Sequence, residues 1–199
     1  MTLRQIKKER TRQLIADTAL RLFLERGYDQ TTIDEIAATA EVGTRTLYRY
    51  YPTKEDLLVK SATPGYRALV TCLCDQPDDQ PLGDALYTTL ARFCYVLGNE
   101  RKRGLALREL IENVPSVRAR VHDEFELTRR ELAKEVRRRM GAPRTDPRPE
   151  LAAGMLMVMV DFVIVTWASG RRSPLRVADQ AADLFRAGRV PLPMRSEAP

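Results

Sequence analysis

The sequence predicts an all-α protein, with a short N-terminal head of three helices followed by a larger C-terminal helical domain. Apolar residues recur at spacings of three and four along most of the 199 residues, and no segment shows sustained alternation typical of strands. Apolar residues also make up 44% of the chain, which is enough for a packed core. Capping and breaking residues divide the periodic pattern into separate helices.

The first helix is predicted over residues 3–26, and Gly27 is expected to close it in a left-handed conformation. Its apolar residues share one face: Ile15, Ala19, Leu22 and Phe23. Thr32 and Glu35 have the spacing of a capping box, so a second helix is expected to begin near Ile33.

A third, short helix is predicted over residues 44–51, between two breakers. Gly43 interrupts the pattern before it, and Pro52 ends it because a proline ring cannot continue the hydrogen-bond ladder. Thr53 and Asp56 again have capping-box spacing, which predicts a fourth helix immediately afterwards.

The remaining chain divides into longer helices, predicted over residues 82–99, 101–112, 115–140, 149–169 and 174–188. The Asp- and Pro-rich stretch CDQPDDQPLGD indicates a loop, and the domain boundary is expected within residues 60–80. We therefore predict domains over residues 1–60 and 61–190, with a tail at 191–199. The basic run at residues 129–141 is typical of a solvated helix end.

The net charge of +6 fits an anionic partner but does not locate a binding site. Residues 1–60 hold eleven Lys and Arg against nine Asp and Glu, whereas residues 101–140 hold twelve against seven. The first segment is thus less basic than the second. A nucleic-acid site must therefore be recognised from particular side chains.

Compartment and membrane character follow from two other features. The three cysteines are an odd number, and the N-terminus lacks the apolar segment of a secretory signal, so we expect a cytoplasmic protein with reduced thiols. The apolar run at residues 151–168 approaches the length of a membrane span, but Asp161 interrupts it. We predict a core or interface helix there and no membrane partner.

Two helices joined by a short turn, the second of them short and polar, form a helix-turn-helix pattern. On a helical wheel, Leu47 and Tyr51 fall on one face of the short helix. The opposite face is cationic and polar: Thr44, Arg45, Tyr48 and Arg49. In DNA-binding proteins such a face enters the major groove, where Arg reads a guanine edge. The alternative is a solvated face in an unrelated helical bundle.

The stretch GYDQTTIDEIAATAEVGTRTLYRYYPTKEDLL resembles the DNA-binding head of the tetracycline-repressor (TetR) family of transcriptional regulators. The matching positions are dense: Gly27, Tyr28, Thr31, Thr32, Ile36, Ala37, Ala40, Val42, Thr46, Leu47, Tyr48, Tyr50, Lys54, Glu55 and Leu57. Three positions depart from the family pattern. Glu41 replaces the usual turn Gly, Gly43 replaces the usual capping Ser, and Tyr51 replaces Phe.

The resemblance implies a homodimer that binds a double-stranded DNA operator with two half-sites, usually as a repressor. Carried over by position, the DNA-facing residues are Thr32, Thr44, Arg45, Thr46, Tyr48, Arg49, Tyr50 and Lys54. Base contacts are expected from Arg45 and Tyr48, and then from Arg49. Phosphate contacts are expected from Thr32, Thr46, Tyr50 and Lys54. Thr44 either caps the recognition helix or contacts DNA.

The same resemblance implies that a small-molecule effector binds in the C-terminal domain and releases DNA. The expected homodimer forms through helices at about residues 149–169 and 174–188. An apolar or amphipathic ligand would contact a lining drawn from Phe93, Leu97, Leu107, Leu110, Phe125, Met155, Met159, Asp161 and Phe162. The alternative for each apolar residue of this set is burial in the core. Asp161 is otherwise expected to pair with Arg108, with Arg129 or across the dimer.

Nothing in the sequence assembles a catalytic site. His122 is the only histidine and is expected to face solvent; no Ser–His–Asp set and no metal-ligand spacing occurs. We therefore predict no enzyme, no metal and no cofactor. Cys72 and Cys74 are expected to be inert thiols, with a redox or metal switch as the alternative. The alternative function is a helical protein that binds a small molecule without recognising an operator.

Overall fold

The computed structural model describes residues 2–99, 101–170 and 172–190, and in these residues the chain forms ten α-helices and no strand. The all-α prediction is confirmed. The helices are α1 (Leu3–Arg26), α2 (Ile33–Thr39), α3 (Thr44–Tyr50), α4 (Lys54–Ala62), α5 (Pro64–Cys74), α6 (Leu82–Asn99), α7 (Arg101–Glu112), α8 (Pro115–Met140), α9 (Arg148–Ser169) and α10 (Pro174–Arg186). The predicted tail at residues 191–199 lies outside the described residues.

The head packs α1 against α2 and α4, while α3 packs against α2. The predicted apolar face of α1 is buried in a core shared with Ile36, Leu47 and Leu57. Gly27 has the predicted positive φ of 93°, but its ψ of 153° lies outside the left-handed helical region. The chain therefore leaves α1 in an extended direction.

Capping boxes fix the starts of α2 and α4 as predicted. The backbone N–H of Glu35 donates to Thr32 Oγ1 at 3.2 Å, and Thr32 N–H donates back to Glu35 Oε2 at 2.8 Å. Thr53 and Asp56 make the corresponding pair of bonds at 3.1 and 2.9 Å. Each box satisfies N–H groups that a helix start otherwise leaves unpaired.

One helix was not predicted. The domain boundary expected within residues 60–80 contains the end of α4 and all of α5, whereas the loop predicted from CDQPDDQPLGD lies between α5 and α6. Pro64 and Gly65 are typical of a loop, yet proline fits the first position of a helix. The apolar face of α5, with Leu69 and Leu73, is buried against α6 and α8. Tertiary packing thus stabilises a helix whose local signal is weak.

The basic end of α8 is not uniformly solvated as predicted, because the Arg139 side chain is only 3% exposed. Its guanidinium donates to the backbone carbonyl oxygens of Leu73, Gln76 and Pro77 at 2.7, 2.6 and 3.0 Å. These carbonyls close α5 and the loop after it, where a helix end leaves acceptors unpaired. Arg139 therefore joins α5 to α8.

The C-terminal core centres on α9, which packs against α8, α10 and α6. Val160 and Val163 are buried in this core together with Leu132 and Val136 of α8. By length and composition alone α9 could cross a membrane, with a mean hydropathy of 2.1. One of its faces nevertheless forms the domain core, and its other faces border a cavity and an exposed apolar stripe, both described below.

Candidate functional site

The short helix α3 is held to the head by one face and presents the other to solvent. Leu47 is 0% exposed and Tyr51, directly after the helix, is 2% exposed. The Tyr51 hydroxyl donates to the backbone carbonyl of Arg12 on α1 at 3.1 Å. On the opposite face Arg45 and Arg49 are exposed, as is Tyr48 at 49%. This division agrees with the two faces predicted from the sequence.

The first turn of α3 differs from both roles considered for Thr44. Gly43 is the N-cap residue, and no side chain caps the helix. Thr44 Oγ1 instead donates to the Asp34 carboxylate at 3.1 Å, across the turn from α2. Thr44 thus links α2 to α3, and its hydroxyl proton is already engaged.

The turn between α2 and α3 contains the only non-glycine residue with positive φ in the described part of the chain. This residue is Glu41, at φ 53°. An L-residue in this region is strained by contact between its Cβ and the backbone, and glycine avoids that contact. Glu41 therefore holds a backbone conformation that favours glycine, at a cost in backbone energy.

The residues expected to contact phosphates lie on and around α3, and they differ in exposure and in the contacts they already make. The Thr32 hydroxyl is exposed but takes part in the α2 capping box. Thr46 and Tyr50 are half-buried, and the Arg49 guanidinium lies 5.5 Å from the Tyr50 ring centroid. Lys54 lies at the start of α4, where helix N–H groups favour anions.

Lys54 is also positioned by an aromatic ring. Its Nζ lies 4.2 Å from the centroid of the Tyr28 ring, a cation–π distance. Burial raises the pKa of the Tyr28 phenol well above its usual value, and the Glu55 carboxylate raises it further. Tyr28 therefore remains neutral, and its ring holds the ammonium group at the edge of the head.

The basic N-terminal residues divide into two groups. The side chains of Arg4, Lys7, Lys8 and Arg10 are exposed along the first turns of α1. Arg12 is half-buried, with its guanidinium 5.7 Å from the Tyr51 ring centroid. Arg12 thus supports the residue that anchors α3, whereas the other four are available to a phosphate backbone.

A cavity of about 780 Å³ lies in the C-terminal domain, lined by residues from the end of α4 through α9 and open to solvent on one side. Five of the nine residues predicted to contact a ligand line it: Phe93, Leu97, Leu107, Phe125 and Asp161. Trp167 and Gly104 meet across one wall, where a Cβ on Gly104 would approach the indole to 3.1 Å. A volume of this size suits a drug-sized molecule.

The other four residues predicted for the lining lie elsewhere. Leu110 packs against the head core, and Met159 packs against the C-terminal core. Met155 and Phe162 are exposed on the outer face of α9. Because α9 is apolar on nearly every side, its sequence periodicity does not distinguish cavity, core and surface faces.

Two polar residues that were not predicted as ligand contacts also line the cavity. Tyr66 lies on α5, the helix that was not predicted, and Arg108 lies on α7. The Tyr66 ring packs edge-on against Phe125 at 5.8 Å between centroids. Burial raises the pKa of the Tyr66 phenol; the Asp161 carboxylate raises it further and the Arg108 guanidinium lowers it. Both charges therefore lie near this phenol.

The ion pair expected for Asp161 within the chain does not form among the described residues. Arg129 instead pairs with Glu126 at 2.8 Å, and Asp161 is exposed at the cavity. His122 is exposed, as predicted, and stacks on Phe125 at the cavity wall. No cluster of three metal-ligating residues occurs in the part of the chain that the structure describes.

The thiols of the chain are free. Cys74 is exposed, whereas Cys72 and Cys94 are buried. Burial raises the pKa of the Cys94 thiol to about 12 and also raises the pKa of Cys74. These shifts disfavour the reactive thiolate form.

The head and the cavity share helix α8. Val117 is buried in the head core, and one turn later Val121 lines the cavity while also packing against that core. A second link joins α7 to α1, because Arg103 lines the cavity and pairs with Asp17 at 3.3 Å. A molecule in the cavity would thus touch elements that support the head.

Two family models match this sequence. The model of bacterial regulatory proteins of the tetR family matches residues 15–60, and the MftR C-terminal domain model matches residues 80–189. The transcriptional regulator TcmR of Streptomyces glaucescens is 29% identical over 176 residues, covering 83% of this chain and 76% of TcmR. IcaR of Staphylococcus epidermidis, a negative regulator of a biofilm operon, is 35% identical over 81 residues, covering 41% of this chain and 44% of IcaR.

A solved structure has the same fold. FadR of Bacillus subtilis, determined in complex with stearoyl-CoA, superposes with a TM-score of 0.64 at 16% identity, covering 88% of this chain and 98% of that one. The first family model covers the helix-turn-helix. The second model alone covers more than half of the chain. The protein therefore belongs to the TetR family of bacterial transcriptional regulators.

Proposed function

We propose that the protein is a ligand-responsive repressor that binds its operator as a homodimer, with α3 of each protomer in the major groove. One observation carries this proposal. The buried side chains Leu47 and Tyr51 fix α3 to the head, and the exposed opposite face presents Arg45, Tyr48 and Arg49. A rigidly held cationic face of this kind suits the reading of base edges.

Within this face, we propose base contacts for Arg45 and Tyr48, because both are exposed and no hydrogen bond occupies them among the described residues. Arg49 is a weaker candidate, since its guanidinium stacks on the Tyr50 ring. Thr32, Thr46, Tyr50 and Lys54 would contact phosphates, together with the exposed cations of α1. Thr44 would orient α3 through its bond to Asp34 instead of reading a base.

The proposed dimer forms through an exposed apolar stripe on α9. Its members are 40–68% exposed and follow one another at intervals of four, three, four and three residues: Leu151, Met155, Val158, Phe162 and Val165. This spacing keeps the side chains on one face, as in helices that pack against a partner. We call it the α9 stripe. Leu175 at the start of α10 adds a further exposed apolar side chain.

A two-fold axis through this stripe would make the interface isologous and pair α9 and α10 with their copies. The two recognition helices would then contact half-sites about 34–36 Å apart, one turn of B-DNA. An effector in the cavity would contact α7 and α8, which pack against the head. It would thereby alter the distance between the two recognition helices. The protein would act as a cytoplasmic regulator and not as an enzyme.

Selection of bound sequences from random double-stranded DNA tests the operator function. We expect the purified protein to enrich a two-fold symmetric sequence with half-sites separated by about 10 base pairs. Binding to that sequence should weaken steeply with salt, because each phosphate contact releases counterions. Failure to enrich any sequence would contradict the proposal, and a flat salt response would exclude the proposed phosphate contacts.

A further inference from the structure

Most polar side chains that line the cavity are already satisfied. The hydroxyls of Ser61 and Thr89 donate to carbonyls of their own helices at 2.9 and 2.8 Å. Arg118 and Glu112 form an ion pair at 3.8 Å, and Arg103 pairs with Asp17. These groups need nothing from a ligand.

Three polar groups that line the cavity lie near one another: the Tyr66 hydroxyl, the Arg108 guanidinium and the Asp161 carboxylate. None has a hydrogen bond or ion pair within the described residues, although all three line one cavity. They come from the separate helices α5, α7 and α9. Each of these helices packs against both α6 and α8, which holds the three groups in a defined arrangement and favours one ligand geometry over others.

These groups lie among apolar and aromatic side chains, including Phe93, Leu97, Leu107, Phe125 and Trp167. A ligand that filled the cavity would displace water from the three polar groups. Leaving a desolvated donor or acceptor unpaired weakens binding, and leaving a charged group unpaired weakens it more. Tight binding therefore requires that the ligand itself supply the missing hydrogen bonds.

The charges of this subsite cancel. Arg108 requires an acceptor and Asp161 requires a donor, while the Tyr66 hydroxyl can serve as either. A carboxylate on the ligand would bond Arg108 but face the like charge of Asp161. An ammonium group would bond Asp161 but face Arg108. An uncharged group that offers a donor beside an acceptor satisfies both residues.

We propose that the cavity selects an uncharged amphipathic effector, whose polar end carries a hydrogen-bond donor beside an acceptor and binds between Tyr66, Arg108 and Asp161. This inference rests on the proposed effector role of the cavity. The remaining lining cation, Arg92, lies on the exposed side of α6. Asp161 and Arg108, and not Arg92, are the charges that shift the pKa of the Tyr66 phenol, so Arg92 lies outside the subsite.

The test uses three probes with the same twelve-carbon chain and different ends: dodecanamide, dodecanoate and dodecylammonium. Each is titrated, below its aggregation concentration at pH 7, against the full-length protein loaded with the uncharged fluorophore Nile red. We expect dodecanamide to displace the fluorophore at about tenfold lower concentration than either charged probe, which corresponds to about 1.4 kcal/mol. Equal or tighter binding of a charged probe would overturn the proposal, as would failure of Nile red to bind.

Two near-isosteric variants should change the preference among the probes in opposite directions. Asp161→Asn leaves Arg108 as the only charge of the subsite, so dodecanoate should gain at least about tenfold relative to the amide. Arg108→Gln should favour dodecylammonium in the same way. A purely structural role would not produce these opposite shifts. If Asp161 instead pairs across the dimer, Asp161→Asn leaves the order of the probes unchanged, and the proposal fails.

Arg92→Gln provides the matched control, because it removes a lining cation outside the subsite. We expect less than a twofold change in the preference among the three probes. A larger shift would show that Arg92, and not the subsite, selects the polar end of the ligand. Binding of each variant to the selected operator is measured in parallel. Intact operator binding without amide preference refutes this inference alone, whereas loss of operator recognition in the wild type refutes the proposed function.

Discussion

The guanidinium of Arg120 on α8 hydrogen-bonds Asp56 Oδ1, and the other oxygen of the same carboxylate closes the capping box of α4 with Thr53. One carboxylate therefore holds the start of α4 and fixes it to α8. Because α8 also contributes Val117 to the head core and Val121 to the cavity, this bond joins the two functional regions at their shared helix.

Asp56→Asn tests this bond through its pH dependence. Burial raises the pKa of Asp56, but hydrogen bonds from Arg120 and Thr53 outweigh it, so the net pKa is lowered. The charged carboxylate thus stabilises the fold above its unfolded pKa of about 4, and this stability is lost as the pH falls through the folded value. We expect the wild type to exceed Asp56→Asn in unfolding free energy at pH 6 by about 1 kcal/mol, with the gap narrowing below pH 4.

Urea unfolding between pH 3 and 7 measures this gap. Asp183→Asn is the matched control, since Asp183 pairs with Arg186 where both side chains are more than 70% exposed. Its effect should be small at every pH. A gap for Asp56→Asn that stays constant across this range would show that the carboxylate charge is not involved.

Arg45→Ala should weaken operator binding by about 1–3 kcal/mol and relax the sequence preference at one base pair. The reason is that Arg45 is exposed on the free face of α3, where it can form a bidentate bond to guanine. Arg21→Ala on α1 removes another exposed arginine, which pairs with Glu25, and should leave the preference unchanged. Fluorescence anisotropy with operator and random DNA separates the two effects. Equal weakening on both DNAs would assign Arg45 to a phosphate.

Glu41→Gly should raise the unfolding free energy by about 0.5–1 kcal/mol, equivalent to a rise of about 1–4 °C in Tm. Glycine removes the Cβ contact at φ 53°, although its larger freedom in the unfolded chain offsets part of the gain. Glu41→Ala keeps the Cβ while removing the carboxylate and so separates strain from charge. Thermal unfolding should show a gain for glycine alone; an equal gain for alanine would attribute the effect to charge.

Phe162→Glu should dissociate the proposed dimer. The α9 stripe would bury this side chain against its copy, and an unpaired carboxylate in an apolar interface costs about 3 kcal/mol or more. The two-fold symmetry introduces the charge twice. Light scattering after size-exclusion chromatography gives the mass directly. Tyr95→Glu, at a side chain 69% exposed on α6, is the control and should remain dimeric. A dimeric Phe162→Glu protein would exclude the α9 stripe as the interface.

Features set by neighbouring residues could be predicted from the sequence. The bounds of α1, α2 and α4 depend on capping residues and glycines within a few positions, and the two faces of α3 depend on helical periodicity alone. The first turn of α3 was harder, because the partner of Thr44 is Asp34 on the preceding helix.

Features set by tertiary packing could not be predicted. Asp161 and Phe162 are adjacent in sequence, yet one lines the cavity and the other lies on the α9 stripe. Because α9 is apolar on nearly every side, its sequence does not indicate which element each of its faces contacts. Helix α5 was not predicted for the same reason, because its stability depends on packing against α6 and α8 more than on its own residues.

The contrast between Arg138 and Arg139 gives the final prediction. Arg138 is 52% exposed and pairs with Asp78 and Glu135, whereas the Arg139 side chain is 3% exposed and bonds three backbone carbonyls. Arg138→Ala should cost less than about 1 kcal/mol, because water replaces an exposed ion pair readily. Arg139→Ala should cost about 1–3 kcal/mol, since it removes a nearly buried side chain and leaves the part-buried Gln76 carbonyl without its guanidinium donor. Urea unfolding of both variants measures the difference, and similar costs would show that the carbonyls find other partners.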